Sequence, residues 1–210
     1  MPVEVAVLAK APVAGYAKTR LAPQLGLVGA ARLQERLIDR ALATVAAARV
    51  GTIVLWCAPD DRHPVLRSLA RRHGAAVRVQ PPGDLGVRML AAAQGGPTLV
   101  IGADCPALAP QHLRDAADVL SRGEDVVLIP AEDGGYVLIG LAAPQPALFA
   151  GVEWGSNRVM TQTRELMTAA GLRWSELPAL WDLDRPEDLD RPLARELLEA
   201  VRGPFAGAEQ

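Results

Sequence analysis

Four short stretches of this sequence concentrate residues able to hold a phosphate, a metal ion or a transferable proton. The first reads Lys10-Ala-Pro-Val-Ala-Gly15-Tyr-Ala-Lys18-Thr-Arg20. It places three cations, a glycine and a hydroxyl within one short loop. A phosphate asks for that combination: glycine lets backbone N–H groups approach, and Lys and Arg supply charge. Each charge-assisted hydrogen bond contributes about 1.5–3 kcal/mol. The loop is neither GxGxxG nor GxxxxGK[ST], so neither a dinucleotide-binding fingerprint nor a P-loop is present. A solvated basic loop is the alternative. The second stretch, Ile101-Gly102-Ala103-Asp104-Cys105-Pro106, ends in an aspartate whose hard oxygens suit Mg²⁺ or Mn²⁺. The same aspartate could instead cap the following turn.

Glu132-Asp133-Gly134-Gly135-Tyr136 joins two acids to two glycines. The glycines let backbone approach a ligand, and the acids could bind sugar hydroxyls or act as a base. A plain glycine turn with solvated acids is the other reading. The fourth stretch is Trp181-Asp182-Leu183-Asp184-Arg185-Pro186-Glu187-Asp188-Leu189. In an extended segment Asp182 and Asp184 share a side, and either could complete a metal site begun by Asp104. Asp184 with Glu187 three residues on also reads as a capping box, worth about 1 kcal/mol. Cys57 and Cys105 form no CxxC or zinc pattern, and no base is identifiable beside Cys105, which reads as a small buried residue. His63, His73 and His112 lie far apart without ligand spacing. Trp154, before Gly155-Ser156-Asn157, could stack on a base or sugar, or belong to the core.

These stretches sit between elements that alternate strand and helix. Val3 to Ala9 and Thr98 to Gly102 read as short buried strands, Thr52 to Cys57 as a second strand and Ala75 to Val79 as a short third strand. Helices are expected at about 28 to 48, Pro64 to His73, and from an Asp84 N-cap to about Gln94. A further helix spans Gln111 to Leu120. Asp125 to Pro130 and Tyr136 to Leu141 are too close for a helical crossover and predict an antiparallel hairpin. A helix from about Arg158 to Ala170, a weak strand near Leu172 and a last helix from near Pro186 complete the pattern. Such alternation predicts a mostly parallel sheet covered on both faces, with ligands bound beyond the strands' carboxyl ends at a topological switch point.

The 210 residues, 50% of them hydrophobic and 22% charged, suffice for one domain with a large core. A net charge of −2 offers no basic surface to nucleic acid or an anionic membrane. No apolar run approaches the roughly 20 residues that span a bilayer, and no secretory pattern opens the chain. The expectation is a cytoplasmic protein without nucleic-acid or membrane partners. Its oligomeric state is left open.

Five motifs in one order carry a resemblance: AKAPVAGYAKTRLAP, GDLGVRM at Gly83 to Met89, IGADCPAL at Ile101 to Leu108, PAEDGGYVLIGL at Pro130 to Leu141, and DLDRPEDL at Asp182 to Leu189. The sequence resembles the bacterial GT-A-like glycosyltransferases associated with arsenosugar biosynthesis and with radical-SAM/selenodomain proteins, over residues 3 to 190. The resemblance implies a single-domain α/β GT-A fold, a nucleoside diphosphate sugar donor, a small-molecule acceptor and Mg²⁺ or Mn²⁺. By position it implies that Lys10, Gly15, Lys18 and Arg20 bind the nucleotide and its phosphates, with Asp84 near the base or ribose. Asp104 and Asp184 would hold the metal. Glu132, Asp133, Gly134 and Gly135 would face the sugar or acceptor, with Asp104, Glu132 and Asp133 as the catalytic set. The sequence has Asp-Cys-Pro where a full Asp-x-Asp is expected, and Trp154-Gly155-Ser156-Asn157 where Trp-Ser-Thr is expected. Glycosyl transfer is the first hypothesis. Nucleotidyl transfer from a nucleoside triphosphate, and non-catalytic binding of a nucleotide sugar, are the alternatives.

Overall fold

The computed structural model describes residues 3–202; the tail expected after the last helix lies outside them. Seven strands form one sheet: β1 (Glu4–Lys10), β2 (Ile53–Ala58), β3 (Ala76–Val79), β4 (Thr98–Gly102), β5 (Val126–Pro130), β6 (Tyr136–Leu141) and β7 (Trp174–Glu176). Their order is β3-β2-β1-β4-β6-β5-β7. β6 runs antiparallel to both its neighbours, and the other pairings are parallel. The hairpin read from the short 131–135 gap is therefore the antiparallel element of a mixed sheet.

Side-chain alternation along each strand divides the core between two faces. Val5, Val7 and Ala9 of β1 pack with Leu55, Leu99 and Ile101 on one face. Helices α1 (Ala22–Ala48), α2 (Pro64–Arg72) and α4 (Pro110–Ser121) cover it. Ala6, Val54 and Val100 point to the opposite face, under α3 (Leu85–Ala92) and α5 (Val159–Ala169). A third cluster joins Leu21, Leu33 and Leu37 to Leu183, Ala194 and Leu198 of α6 (Pro192–Arg202). That cluster packs the chain's last helix against its first. Central strands buried on both faces read as unbroken apolar runs, which is why they were legible in sequence.

Boundaries differ where glycine or proline intervenes. The first helix starts at Ala22 rather than near 28, but Gly26, at φ 71° and ψ 163°, breaks it after one turn. Its continuous part therefore begins close to the expected position. The strand expected near Leu172 lies at Trp174–Glu176. The last helix expected from Pro186 is a 3-10 segment, Pro186–Asp190, followed by a separate helix after Pro192, whose ring removes a backbone donor. Asp184 does not cap that segment. Asp188 does, its carboxylate accepting from the backbone N–H groups of Asp184 and Arg185 at 3.0 and 2.7 Å. Asp84 N-caps α3 as expected, accepting from Val87 N–H at 2.9 Å. No described helix is long and apolar enough to cross a membrane.

The edge strand β7 is held to α5 by Arg164, whose Nε and Nη2 donate to the two carboxylate oxygens of Glu176 at 2.8 and 2.7 Å. That hydrogen bonding keeps the Glu176 carboxyl below the usual carboxylate range. A depressed folded pKa stabilises the fold above the unfolded value and loses that contribution as pH falls through the folded one. Both groups remain partly exposed, so the pair contributes at most about 1 kcal/mol. Glu176→Gln should therefore lower the urea-unfolding free energy by up to about 1 kcal/mol near neutral pH. The difference from the parent should shrink as pH drops below the ordinary glutamate range; an undiminished difference in acid would show that packing, not charge, is responsible.

Candidate active site

Strand order reverses between β1 and β4, so the loops leaving their carboxyl ends diverge and leave a crevice. A cavity of about 390 Å³ occupies it. Its floor is Leu8, Ala9 and Lys10 of β1 with Val100, Ile101 and Gly102 of β4. Lys18 and Arg20 border it from the first loop, and Asp182, Asp184 and Arg185 from the loop before the 3-10 segment. Asp133, Tyr136 and Trp154 line the opposite wall.

Lys18 is the centre of the polar wall. Its backbone takes a left-handed conformation, φ 49° and ψ 41°, uncommon for a residue with a side chain. Its side chain is 6% exposed, and Nζ donates to the Leu183 carbonyl at 2.6 Å. Nζ also lies 3.6 Å from Asp104 Oδ2 and 3.6 Å from Asp184 Oδ1. Arg20 donates to the other oxygen of Asp184. Leu183 N–H donates to the Asp104 carbonyl at 2.8 Å, so the three segments lock together. Lys10 ends β1 at the cavity, its ammonium 6.0 Å from the Tyr16 ring.

Asp104 has its place because Gly102 has no side chain. A Cβ built on Gly102 would meet Asp104 Oδ1 at 2.4 Å. Asp182 lies in the same acidic group. Burial, then the charges of Asp104 and Asp133, push its carboxyl up to about 6. The resemblance implies Mg²⁺ or Mn²⁺ here, and two observations test that fit. Asp104 and Asp184 converge on one cationic point, and both line the same cavity. Among the described residues no group of three or more His, Cys, Asp or Glu is arranged to hold an ion. Mg²⁺ commonly takes one or two carboxylates and completes its shell with substrate phosphate and water. On that measure the pair Asp104 and Asp184 fits.

Some expected residues lie off the cavity. Glu132 points into a neighbouring pocket of about 50 Å³ with Trp181, Asp188 and Arg191. Arg191 donates to its two carboxylate oxygens at 3.4 and 2.6 Å, holding the Glu132 carboxyl below its ordinary range. Asp133 lines both spaces, and its Oδ1 accepts from Gly135 N–H at 2.9 Å. Gly135 lines the cavity, whereas Gly15 and Gly134 are absent from its walls, as is Asp84, which is occupied as a helix cap. Burial pushes the Cys105 thiol up to about 12, which keeps it protonated and unsuited to nucleophilic work. His73 pairs with Asp39 at 2.7 Å, and His112 accepts from Ala109 N–H at 3.0 Å.

Three lining residues escaped the sequence reading. Gln80 is buried and donates to the Trp56 and Ala9 carbonyls at 2.8 and 3.2 Å. Arg88 donates to Gly83 O at 3.2 Å and to Gln80 Oε1 at 3.4 Å. Gln34, also buried, donates to the Lys10 carbonyl at 3.2 Å. A polar residue within an apolar helical stripe was the available signal for Gln34. Trp154 packs with the aromatic core, stacked on Phe149 at 6.3 Å and edge-on to Tyr136 at 6.4 Å, and it also lines the cavity.

A mixed sheet with an acid-and-lysine cleft at its switch point is the GT-A, or nucleotide-diphospho-sugar transferase, fold. The chain belongs to the DUF2064 family, described as uncharacterized proteins conserved in bacteria, whose model matches residues 41–156. No curated protein matches the sequence. Among solved structures, a protein from Desulfovibrio desulfuricans G20, provisionally described as a nucleotide-diphospho-sugar transferase, is 25% identical. The match covers 95% of this chain and 98% of that one, with a TM-score of 0.80. A cytidylyltransferase from Leptospira borgpetersenii shares 13% identity, with coverage of 96% and 94% and a TM-score of 0.61. Glucosyl-3-phosphoglycerate synthase from Mycobacterium tuberculosis, in complex with Mn²⁺, UDP and glucosyl-3-phosphoglycerate, shares 14%, with coverage of 95% and 78% and a TM-score of 0.55. The last two are likenesses of fold.

Gly134 ties the acidic hairpin to the 154–157 loop. Its φ is +94°, and an added Cβ would sit 2.3 Å from the Asn157 carbonyl. Gly15 has a similar φ of +81° but nothing within 4 Å. Gly15→Ala should cost only the backbone strain, about 1–2 kcal/mol. Gly134→Ala should cost that plus overpacking of about 1–3 kcal/mol. Parallel urea titrations of the two variants would separate the contributions, and equal losses would refute the contact's importance.

Proposed function

We propose that this protein transfers a sugar from a nucleoside diphosphate sugar to a small-molecule acceptor, with Mg²⁺ or Mn²⁺. The observation that carries the reading is the convergence of Asp104 and Asp184 on the Lys18 ammonium at the switch-point cleft, with Lys10 and Arg20 beside it. Likeness over nearly the whole chain to the D. desulfuricans protein supports it. Mn²⁺ and UDP in the glucosyl-3-phosphoglycerate synthase complex belong to that enzyme; they make the same chemistry reasonable here.

In this reading Lys10, Lys18 and Arg20 bind the nucleotide's phosphates, and Gly15 keeps the loop backbone open to them. Asp84 fixes the start of α3 near the base or ribose. Asp104 and Asp184 would hold the divalent ion, which when bound neutralises charge developing on the departing diphosphate. The acceptor hydroxyl approaches from the wall of Tyr136 and Trp154. Gly134 and Gly135 hold the hairpin there, and Asp133 takes the proton as general base. Glu132 was the other candidate base. Its pairing with Arg191 outside the cleft favours Asp133, with Glu132 steadying the hairpin instead.

Calorimetric titration with a panel of nucleoside diphosphate sugars and nucleoside triphosphates, each with and without Mn²⁺, tests the reading. Metal-dependent binding of one diphosphate sugar is expected. Preference for a triphosphate, with release of pyrophosphate, would assign nucleotidyl transfer; binding without any turnover would assign a non-catalytic role. Asp104→Asn should lower donor turnover by roughly 10²-fold or more while the fold stays intact. Gly102→Ala should lower the same turnover with every ligand residue retained, because the new methyl takes the space of the Asp104 carboxylate. Full activity in Asp104→Asn would refute the assignment.

A further inference from the structure

The point on which the two aspartates converge already holds a cation that belongs to the chain. Lys18 Nζ is equidistant from Asp104 Oδ2 and Asp184 Oδ1, at 3.6 Å from each. It is anchored between them by the Leu183 carbonyl. At 6% exposure its side chain is withdrawn from water, whereas the carboxylates it bridges are 44% and 34% exposed. An ammonium and a divalent ion cannot share that point: both are cationic, and both draw on the same two carboxylates. Mg²⁺–oxygen distances are about 2.0–2.1 Å, so both aspartates must close on the ion and the ammonium must leave.

We propose that Lys18 is a resident cation that closes the two-aspartate site to divalent ions in the ligand-free protein, so that the ion enters only with a diphosphate. This inference rests on the preceding reading for the identity of the ion-holding pair. The diphosphate supplies the remaining ligands of the ion and new acceptors for the displaced ammonium. The backbone suits such a move. Lys18 is held at φ 49°, and non-glycine residues in that region persist only where the surroundings impose it. The loop from Val13 to Tyr16 before it is exposed, so it can shift without breaking the core. Arg20, on Asp184's other oxygen, keeps that carboxylate paired during the exchange. The ordering is built from charge: removing the ammonium should open the site, and an equally charged replacement should keep it shut.

Water-proton relaxation reports Mn²⁺ held on the slowly tumbling protein and not Mn²⁺ free or on pyrophosphate alone. For the parent protein, Mn²⁺ alone should give no enhancement, and Mn²⁺ with pyrophosphate should give one. Lys18→Gly should bind Mn²⁺ alone at least about tenfold more tightly than the parent. Glycine accepts the left-handed backbone without strain, so this variant is expected to fold. Lys18→Arg keeps the charge and should behave as the parent. Equal Mn²⁺ binding by the parent and Lys18→Gly would overturn the inference. So would absence of Mn²⁺ from a folded Lys18→Gly, or a parent that takes no Mn²⁺ with pyrophosphate. The Mn²⁺-alone comparison contains no nucleotide or sugar, so its result stands apart from failure of the glycosyl-transfer reading in the donor panel.

Discussion

β2 and β3 extend the sheet to one side of β1, and β4 extends it to the other. The chain leaving β1 and the chain leaving β4 must therefore part. No crossover helix can fill the gap between them, because each is committed to covering a sheet face. The rest of the site follows from this topological constraint. The two strands adjoining the gap lie inside the sheet, each paired on both sides, so the crevice has a floor of hydrogen-bonded backbone and mainly apolar side chains. Apart from Lys10 at the end of β1, the charged groups stand on its borders, most of them on loops.

Those loops gain order from one another rather than from local propensity. Lys18 and Asp184 are brought together across most of the sequence. Leu183, fully buried among Leu21, Leu33 and Leu37, fixes their separation. Its N–H reaches the Asp104 carbonyl and its carbonyl receives the Lys18 ammonium. One hydrophobic residue between two aspartates thus anchors the segment in the core while the acids on either side face the cleft, as the i, i+2 spacing allows. Asp188 supports the arrangement from behind by satisfying the Asp184 and Arg185 N–H groups. The Asp184 carboxylate is thereby left to the cations.

This division of labour explains what was legible in sequence. The buried strands, the antiparallel hairpin and the Asp84 cap are local signals, and each appears in the fold. The membership of Asp104, Lys18 and Asp184 in one cleft was legible because all three follow strands or flank helices at the sheet's carboxyl edge. The exchange of Asp184 for Asp188 as the cap was not. Both acids satisfy a capping pattern, and only the distant lysine and arginine decide between them. The pairing of Glu132 was not legible for the same reason: nothing in Glu132-Asp133 distinguishes the two acids until Arg191 arrives from beyond the 3-10 segment. Gln80 and Arg88 gave no signal because their task is to satisfy particular carbonyls, which spacing does not encode.

The opposite walls of the cleft differ in a way that bears on its chemistry. The wall from the first and last loops is ionic, with acids and cations in contact. The hairpin wall is aromatic, with Tyr136 and Trp154 braced by Phe149 and Met89. Burial raises the Tyr136 hydroxyl far above its ordinary value, so that wall carries no titrating phenol at neutral pH. The titratable carboxylate that lines the cavity beside it is Asp133. Asp104 sits where the walls meet, at the end of the strand that forms half the floor. The cleft thus offers charged groups along one side and aromatic faces along the other. Fixed charge beside an apolar face is the arrangement that a transfer dependent on preorganised charge requires.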